Sequence, residues 1–217
     1  VRKLVVVVEG YSEERFVMRT LRAHLPKLDV RAIKPATGTR PDGSVARGGG
    51  DWKKWLAELR LTLGSKKPEL VVTTMFDLYG LPSNFPGVST RSQYASTAQF
   101  ADALELTMAS AVSDSRFVPN IVRHEFETLV LAALPEVEQL LAPSKRRHFA
   151  ELRRLVAQSA PEEINCGDET APSKRLEQTH VFDKLIHGVP ALHAVGVPKL
   201  ERACPRFGRW VRKLKSL

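Results

Sequence analysis

The chain opens on an unbroken apolar run, Leu4-Val5-Val6-Val7-Val8, which stops at Glu9. A run that is apolar at every position, rather than every second one, predicts a strand covered on both faces in a parallel sheet. Gly10 lets the chain turn, Ser12 offers a side-chain cap, and Glu13 and Glu14 fall in the first turn of a helix, where the dipole favours negative charge. That helix, residues 13–25, carries Phe16, Val17, Leu21 and Leu25 on one side and is closed by Pro26. Residues 29–36 alternate as a second strand. The glycine-rich span 37–50 reads as a loop. Asp51 caps a helix bearing Trp52, Trp55, Leu56, Leu59 and Leu63, with both tryptophans expected in the core.

Residues 70–76 form another continuous apolar and threonine run, and it too ends in an acid, Asp77. A segment rich in proline and glycine follows, residues 78–87. Residues 95–112 read as a long helix. Residues 116–122 read as a third apolar strand, finishing in His124-Glu125-Phe126-Glu127. This β-α-β-α-β alternation predicts an α/β, Rossmann-like, mostly parallel sheet flanked by helices over residues 1–127. Residues 128–217 show helical pieces at 144–160, 181–188 and 199–217, with a polar connection at 161–172. With no internal repeat or long linker, this part reads as a helical C-terminal extension packed on the same domain.

Charge adds a partner to the picture. Thirty-three Lys and Arg against 24 Asp and Glu give 33 − 24 = +9, with a pI near 9.8. Such an excess points to an anionic partner, nucleic acid foremost. No apolar run approaches a bilayer span and no signal-peptide pattern opens the chain, so no membrane association is expected. Cys166 and Cys204 stand in no metal-like spacing, which suits a reducing cytoplasm.

The candidate chemistry lies at the strand ends. Three core strands each finish on a carboxylate, Glu9, Asp77 and Glu125, and parallel neighbours bring those acids to one rim of the sheet. Carboxylates gathered in this way repel unless a cation offsets them, and all-oxygen ligands select Mg²⁺ or Mn²⁺. Glu13 and Glu127 are placed to complete the cluster. Lys174, at a helix start after Pro172, is a candidate for a phosphate or leaving-group contact, with Arg175 beside it. His124 is a candidate proton carrier. Arg40 and Arg47 lie in the glycine-rich loop, and Arg206, Arg209, Arg212 and Lys213 on the last amphipathic helix. Both sets are candidates to meet nucleic acid, with a solvated face as the alternative. The loop lacks the Gly-Lys-Ser/Thr end of a P-loop, so nucleotide hydrolysis is not supported.

Glu9-Gly10-Tyr11-Ser12-Glu13 after a valine-rich strand resembles the E-G-x-x-E opening of TOPRIM domains, especially those of OLD-family nucleases. Phe76-Asp77 resembles the start of their D-x-D motif. The stretch from Thr74 to Pro82, then Phe85-Pro86-Gly87, His124-Glu125-Phe126-Glu127 and Thr170-Ala171-Pro172-Ser173-Lys174-Arg175-Leu176, is similar to a family of small stand-alone bacterial TOPRIM-like proteins of unknown function. These are often encoded beside an ABC/SMC-like ATPase. The resemblance implies a Mg²⁺-dependent nuclease of DNA or RNA, with an ATPase partner and a role in phage defence. Glu9 and Asp77 become metal ligands, Glu13 a second-site ligand, and Glu125 and Glu127 the late acids. Tyr79 stands where D-x-D has its second acid, so a full two-metal site needs Glu125 or Glu127 in its place, and Glu125 is favoured. A non-catalytic nucleic-acid-binding or adaptor subunit is the alternative, and homo-oligomerisation stays open.

Overall fold

The computed structural model describes residues 1–39, 45–47, 50–65, 67–165 and 170–217, with the backbone alone for 37–39 and 45–47. In chain order, β1 (Arg2–Val8) leads into α1 (Tyr11–Phe16), which continues through a π turn (Val17–Leu21) and α2 (Arg22–His24). Then come β2 (Leu28–Ile33), β3 (Ala36–Thr39), β4 (Val45–Arg47), α3 (Trp52–Leu63), β5 (Leu70–Asp77) and α4 (Thr97–Val112). After the strands β6 (Phe117–Val118) and β7 (Ile121–Val122) the described residues form helices: α5 (Glu127–Ala132), α6 (Leu134–Gln139), α7 (Ala150–Gln158), α8 (Pro172–Glu177), α9 (Val189–Val195), α10 (Val197–Ala203) and α11 (Pro205–Lys215).

The main sheet has the order β2-β1-β5-β6, β7 also pairs with β5, and every pairing in it is parallel. Val8 lies opposite Met75, and Asp77 opposite Val122, so β1, β5 and β7 all run out at one rim. Alternation along the central strands explains their continuous apolarity. Leu4, Val6, Val8, Val71 and Met75 enter one core, while Val7, Val72 and Phe76 enter the other. α3 and α4 cover the second core with Trp55, Leu59, Phe100 and Leu104. The first core is closed by α1 and by the C-terminal half, which sends Leu129, Phe149, Leu192, Trp210 and Leu214 onto the sheet.

The structure departs from the sequence reading in four places. Part of span 37–50 is an antiparallel β3–β4 hairpin rather than a loop. Arg47 lies in β4, and Arg40 falls outside the described residues. The third strand is broken into β6 and β7, because Pro119 has no N–H to offer the ladder. Thr74 repairs the gap: its Oγ1 donates to the Asn120 carbonyl at 2.7 Å and accepts the Asn120 N–H at 2.9 Å. The stretch 144–160 begins as a 3₁₀ helix (Pro143–Phe149). Finally, α1 starts at Tyr11 with Gly10 as its cap residue and no side-chain cap, and Ser12 is buried instead. Among the described residues, no helix is long and apolar enough to cross a membrane.

α11 is locked onto the sheet by polar contacts as well as apolar ones. Glu162 caps its start, accepting the N–H groups of Arg206 at 2.9 Å and Phe207 at 3.1 Å. Trp210 Nε1 donates to Thr73 Oγ1 at 2.9 Å. Arg206 is 8% exposed: its guanidinium pairs with Asp102 and Glu105 of α4, and its Nε donates to the Ile121 carbonyl at 2.9 Å. This corrects the expectation that Arg206 meets nucleic acid, since its charge is spent inside the protein. Arg206→Ala takes the guanidinium from the largely covered Glu105 carboxylate, 19% exposed, and is expected to lower stability by ~3 kcal/mol or more. Arg209→Ala, a pair with both side chains about half exposed, is expected to cost no more than ~1 kcal/mol. Urea unfolding of the two variants measures the contrast, and equal losses would contradict it.

Candidate metal centre

The parallel register sets the site. Glu9 is the residue after β1 and Asp77 the last of β5, so the two acids leave neighbouring strands one residue apart in register. Glu9 Oε1 accepts the Asp77 N–H at 2.6 Å, a short bond that pins the side chain over the end of β5. Two glycines make room for the acids. A Cβ at position 80 would stand 2.5 Å from Glu9 Oε2, and one at position 10 would stand 2.7 Å from Glu13 Oε2. In the Glu9-Gly10-Tyr11-Ser12-Glu13 sequence, the glycine leaves room for the Glu13 carboxylate where it lies, and neither glycine is there to supply a left-handed turn.

Asp77 is the residue under most stress. Its Oδ1 is shielded from solvent and has no hydrogen-bond partner. Burial, and then the negative charges of Glu9, Glu13 and Glu127, hold its pKa well above the usual carboxylate range, and Lys184 only partly offsets them. Glu9 is pushed up to about 8, first by burial and then by Glu13, against the lowering effects of the Asp77 N–H and Lys184. An orphaned buried oxygen beside a second crowded carboxylate fits a divalent cation. Among the described residues no three His, Cys, Asp or Glu side chains stand arranged for an ion. Two carboxylates suffice for Mg²⁺, which keeps most of its water.

Sequence reasoning missed Lys184. It comes from a π turn (Lys184–Gly188) opened by Asp183, whose Oδ1 accepts the N–H groups of Leu185 and Ile186 at 2.8 and 2.7 Å. Its Nζ reaches Glu13 Oε1 at 3.0 Å and Glu127 Oε1 at 3.1 Å, and lies 4.8 Å from the centre of the Phe126 ring. Burial works against its charge, yet Glu127, Glu13 and Asp77 outweigh it and raise the pKa. The one signal in the sequence was a lysine within Val181-Phe182-Asp183-Lys184-Leu185-Ile186, otherwise apolar but for Asp183.

The late acids take the reverse of the expected roles. Glu127, at the start of α5, is the one that reaches the cluster through Lys184. Glu125 instead caps α8, accepting the Ser173 N–H at 2.8 Å and its hydroxyl at 3.0 Å. His124 is buried at a positive φ of 65°, bonded through Nε2 to the Glu162 carbonyl at 3.0 Å and through Nδ1 to the Tyr79 hydroxyl at 3.1 Å. Burial, helped by the Arg123 charge, pushes its pKa down to about 4, so it stays neutral near pH 7 and acts as a tether rather than a proton carrier. Tyr79 is fixed by this bond and by the Asn165 amide.

The cationic candidates are scattered. Lys174 pairs with Glu177 at 3.0 Å on an exposed face of α8, and Arg175 Nε donates to the Thr170 carbonyl at 2.9 Å. Arg209 shares Asp102 with Arg206. Lys213 is exposed, beside a cavity of about 120 Å³ that Arg206, Arg209 and Trp210 also line.

Comparison with solved structures finds two likenesses to OLD proteins. The C-terminal region of the Burkholderia pseudomallei OLD protein matches with a TM-score of 0.48 and 13% identity, over 100% of this chain and 98% of that one. The C-terminal region of the Xanthomonas campestris pv. campestris OLD protein matches with a TM-score of 0.47 and 14% identity, over 98% of this chain and 94% of that one. No curated protein matches the chain. The family model described as Domain of unknown function (DUF4276) matches residues 8–215, so the chain, with its acidic rim included, belongs to the DUF4276 family.

Proposed function

We propose that the protein is a cytoplasmic, Mg²⁺- or Mn²⁺-dependent nuclease whose ion is held by Glu9 and Asp77. The observation that carries this reading is the buried, partnerless Oδ1 of Asp77 beside the crowded carboxylate of Glu9. A bound ion of this class orients a phosphate oxygen and lowers the pKa of an attacking water. The chain's own contribution is positional. The Asp77 N–H fixes Glu9, Gly10 and Gly80 leave the carboxylates space, and Lys184 bridges Glu13 and Glu127 at the edge. The +9 net charge draws a polyanion, and exposed Lys213 and Arg209 are suited to phosphate contacts. Phosphate-directed chemistry gives no sugar preference, so DNA and RNA are both substrates to test. The ABC/SMC-like ATPase partner and the phage-defence role rest on the sequence resemblance and are proposed with it.

A non-catalytic adaptor is the second reading. What favours it is Tyr79, tied to His124 and Asn165 where an acid would complete a D-x-D pair. Metal binding separates the two. In the nuclease reading, Mn²⁺ raises the melting temperature of the full chain, and Glu9→Gln or Asp77→Asn removes both that shift and cleavage. The loss of cleavage is expected to be at least the ~10–100-fold that removal of an outer-shell partner alone costs. Cleavage that survives both substitutions would end the metal assignment.

The raised carboxyl pKa values give a pH signature. Glu9 titrates at 4.5 ordinarily and at about 8 in the folded protein, and Asp77 moves the same way. Between those values the folded chain binds more protons than the unfolded one, so their contribution to stability is full below about 4.5 and is lost as pH rises toward 8. Without metal, the melting temperature is expected to fall across this window. The Mn²⁺-induced shift should grow across it, because the ion needs the ionised acids. Glu9→Gln should flatten the metal-free curve, and thermal melts from pH 5 to about 8 check each slope.

A further inference from the structure

The acids at the rim fall into two halves with different cations. Glu13 and Glu127 are satisfied from within: one ammonium stands 3.0 Å from the first and 3.1 Å from the second, over the face of Phe126 at 4.8 Å. Among the described residues Glu9 and Asp77 have no such partner, and Asp77 Oδ1 has no hydrogen-bond partner. The first half is built to the size of an ammonium. Oxygens about 3 Å from a nitrogen would each have to close by roughly 1 Å to bind Mg²⁺ at its usual ~2.1 Å. The lysine is also held in place, since Asp183 caps the turn that carries it. Gly188, at the end of that turn, packs closely against its neighbours: a Cβ there would stand 3.2 Å from the Phe182 ring and 3.4 Å from Val130.

We propose that Lys184 occupies the position of a second metal ion, so that the protein takes one divalent ion, on Glu9 and Asp77, with an internal ammonium as its companion. This rests on the metal reading above and goes further in fixing the number of ions. It also gives Tyr79 a rationale. With a lysine already supplying the second positive charge, a further acid at position 79 would add repulsion with no ion to offset it. Lys184 thereby acts as a positioning residue for Glu13 and Glu127.

The test is a count of Mn²⁺ ions bound by the full chain, by isothermal titration with electron paramagnetic resonance to detect paired ions. One ion per chain with no Mn–Mn coupling is expected. Lys184→Met should then gain a second ion, showing spin coupling, while Lys184→Arg stays at one. Two coupled ions in the wild type would overturn the lysine proposal and leave the metal reading standing. So would Lys184→Met holding one ion at unchanged affinity. No ion at all in the wild type would overturn the metal reading and the lysine proposal with it. Should Lys184→Met fail to fold with Glu13 and Glu127 unpaired, the wild-type count decides alone.

Discussion

Four carboxylates at one rim of a parallel sheet cannot all ionise without cations beside them, and this constraint organises the molecule. Lys184 answers it for Glu13 and Glu127. The remaining pair, Glu9 and Asp77, answers it only by holding protons or by taking an ion from solution, which is what their raised pKa values mean physically. A buried carboxylate with an unpartnered oxygen is costly to keep. The fold keeps it at the end of a long central strand, where every residue of β5 before Asp77 is covered.

The rest of the chain reads as support for that arrangement. β1 and β5 pair in a register that leaves Glu9 and Asp77 one residue out of step, close enough for the carboxylate of one to take the amide of the other. The C-terminal half closes the first core and returns Lys184 to the rim, so the site is assembled from both ends of the sequence. A chain of bonds runs from Tyr79 through His124 to Glu162 and on to the first amides of α11. The rim and the last helix therefore share one polar framework, closed off by the Arg206 pairs to α4.

Much of this was legible in the sequence, for a definite reason. Strands buried on both faces write themselves as continuous apolar runs, so β1 and β5 and the acids that end them could be read directly. Parallel pairing then made Glu9 and Asp77 neighbours. What could not be read were contacts set by other elements. Arg206 and Arg209 look alike on a helix, and only the approach of Glu105 from α4 makes one internal and leaves the other half exposed. Glu125 and Glu127 are two residues apart, and which one faces the cluster depends on α8 presenting Ser173 to the first and on Lys184 reaching the second. His124 carried the generic signature of a proton carrier, but burial, helped by the Arg123 charge, suppresses the titration, and its two ring bonds hold it in place.

The most direct measurement is anomalous scattering from crystals of the full chain grown with Mn²⁺ near pH 8. A single strong peak is expected in contact with Asp77 Oδ1 and a Glu9 oxygen, with the Lys184 ammonium still between Glu13 and Glu127. Crystals in which that oxygen is met by a protein donor or an ordinary water, with no peak at the rim, would contradict it.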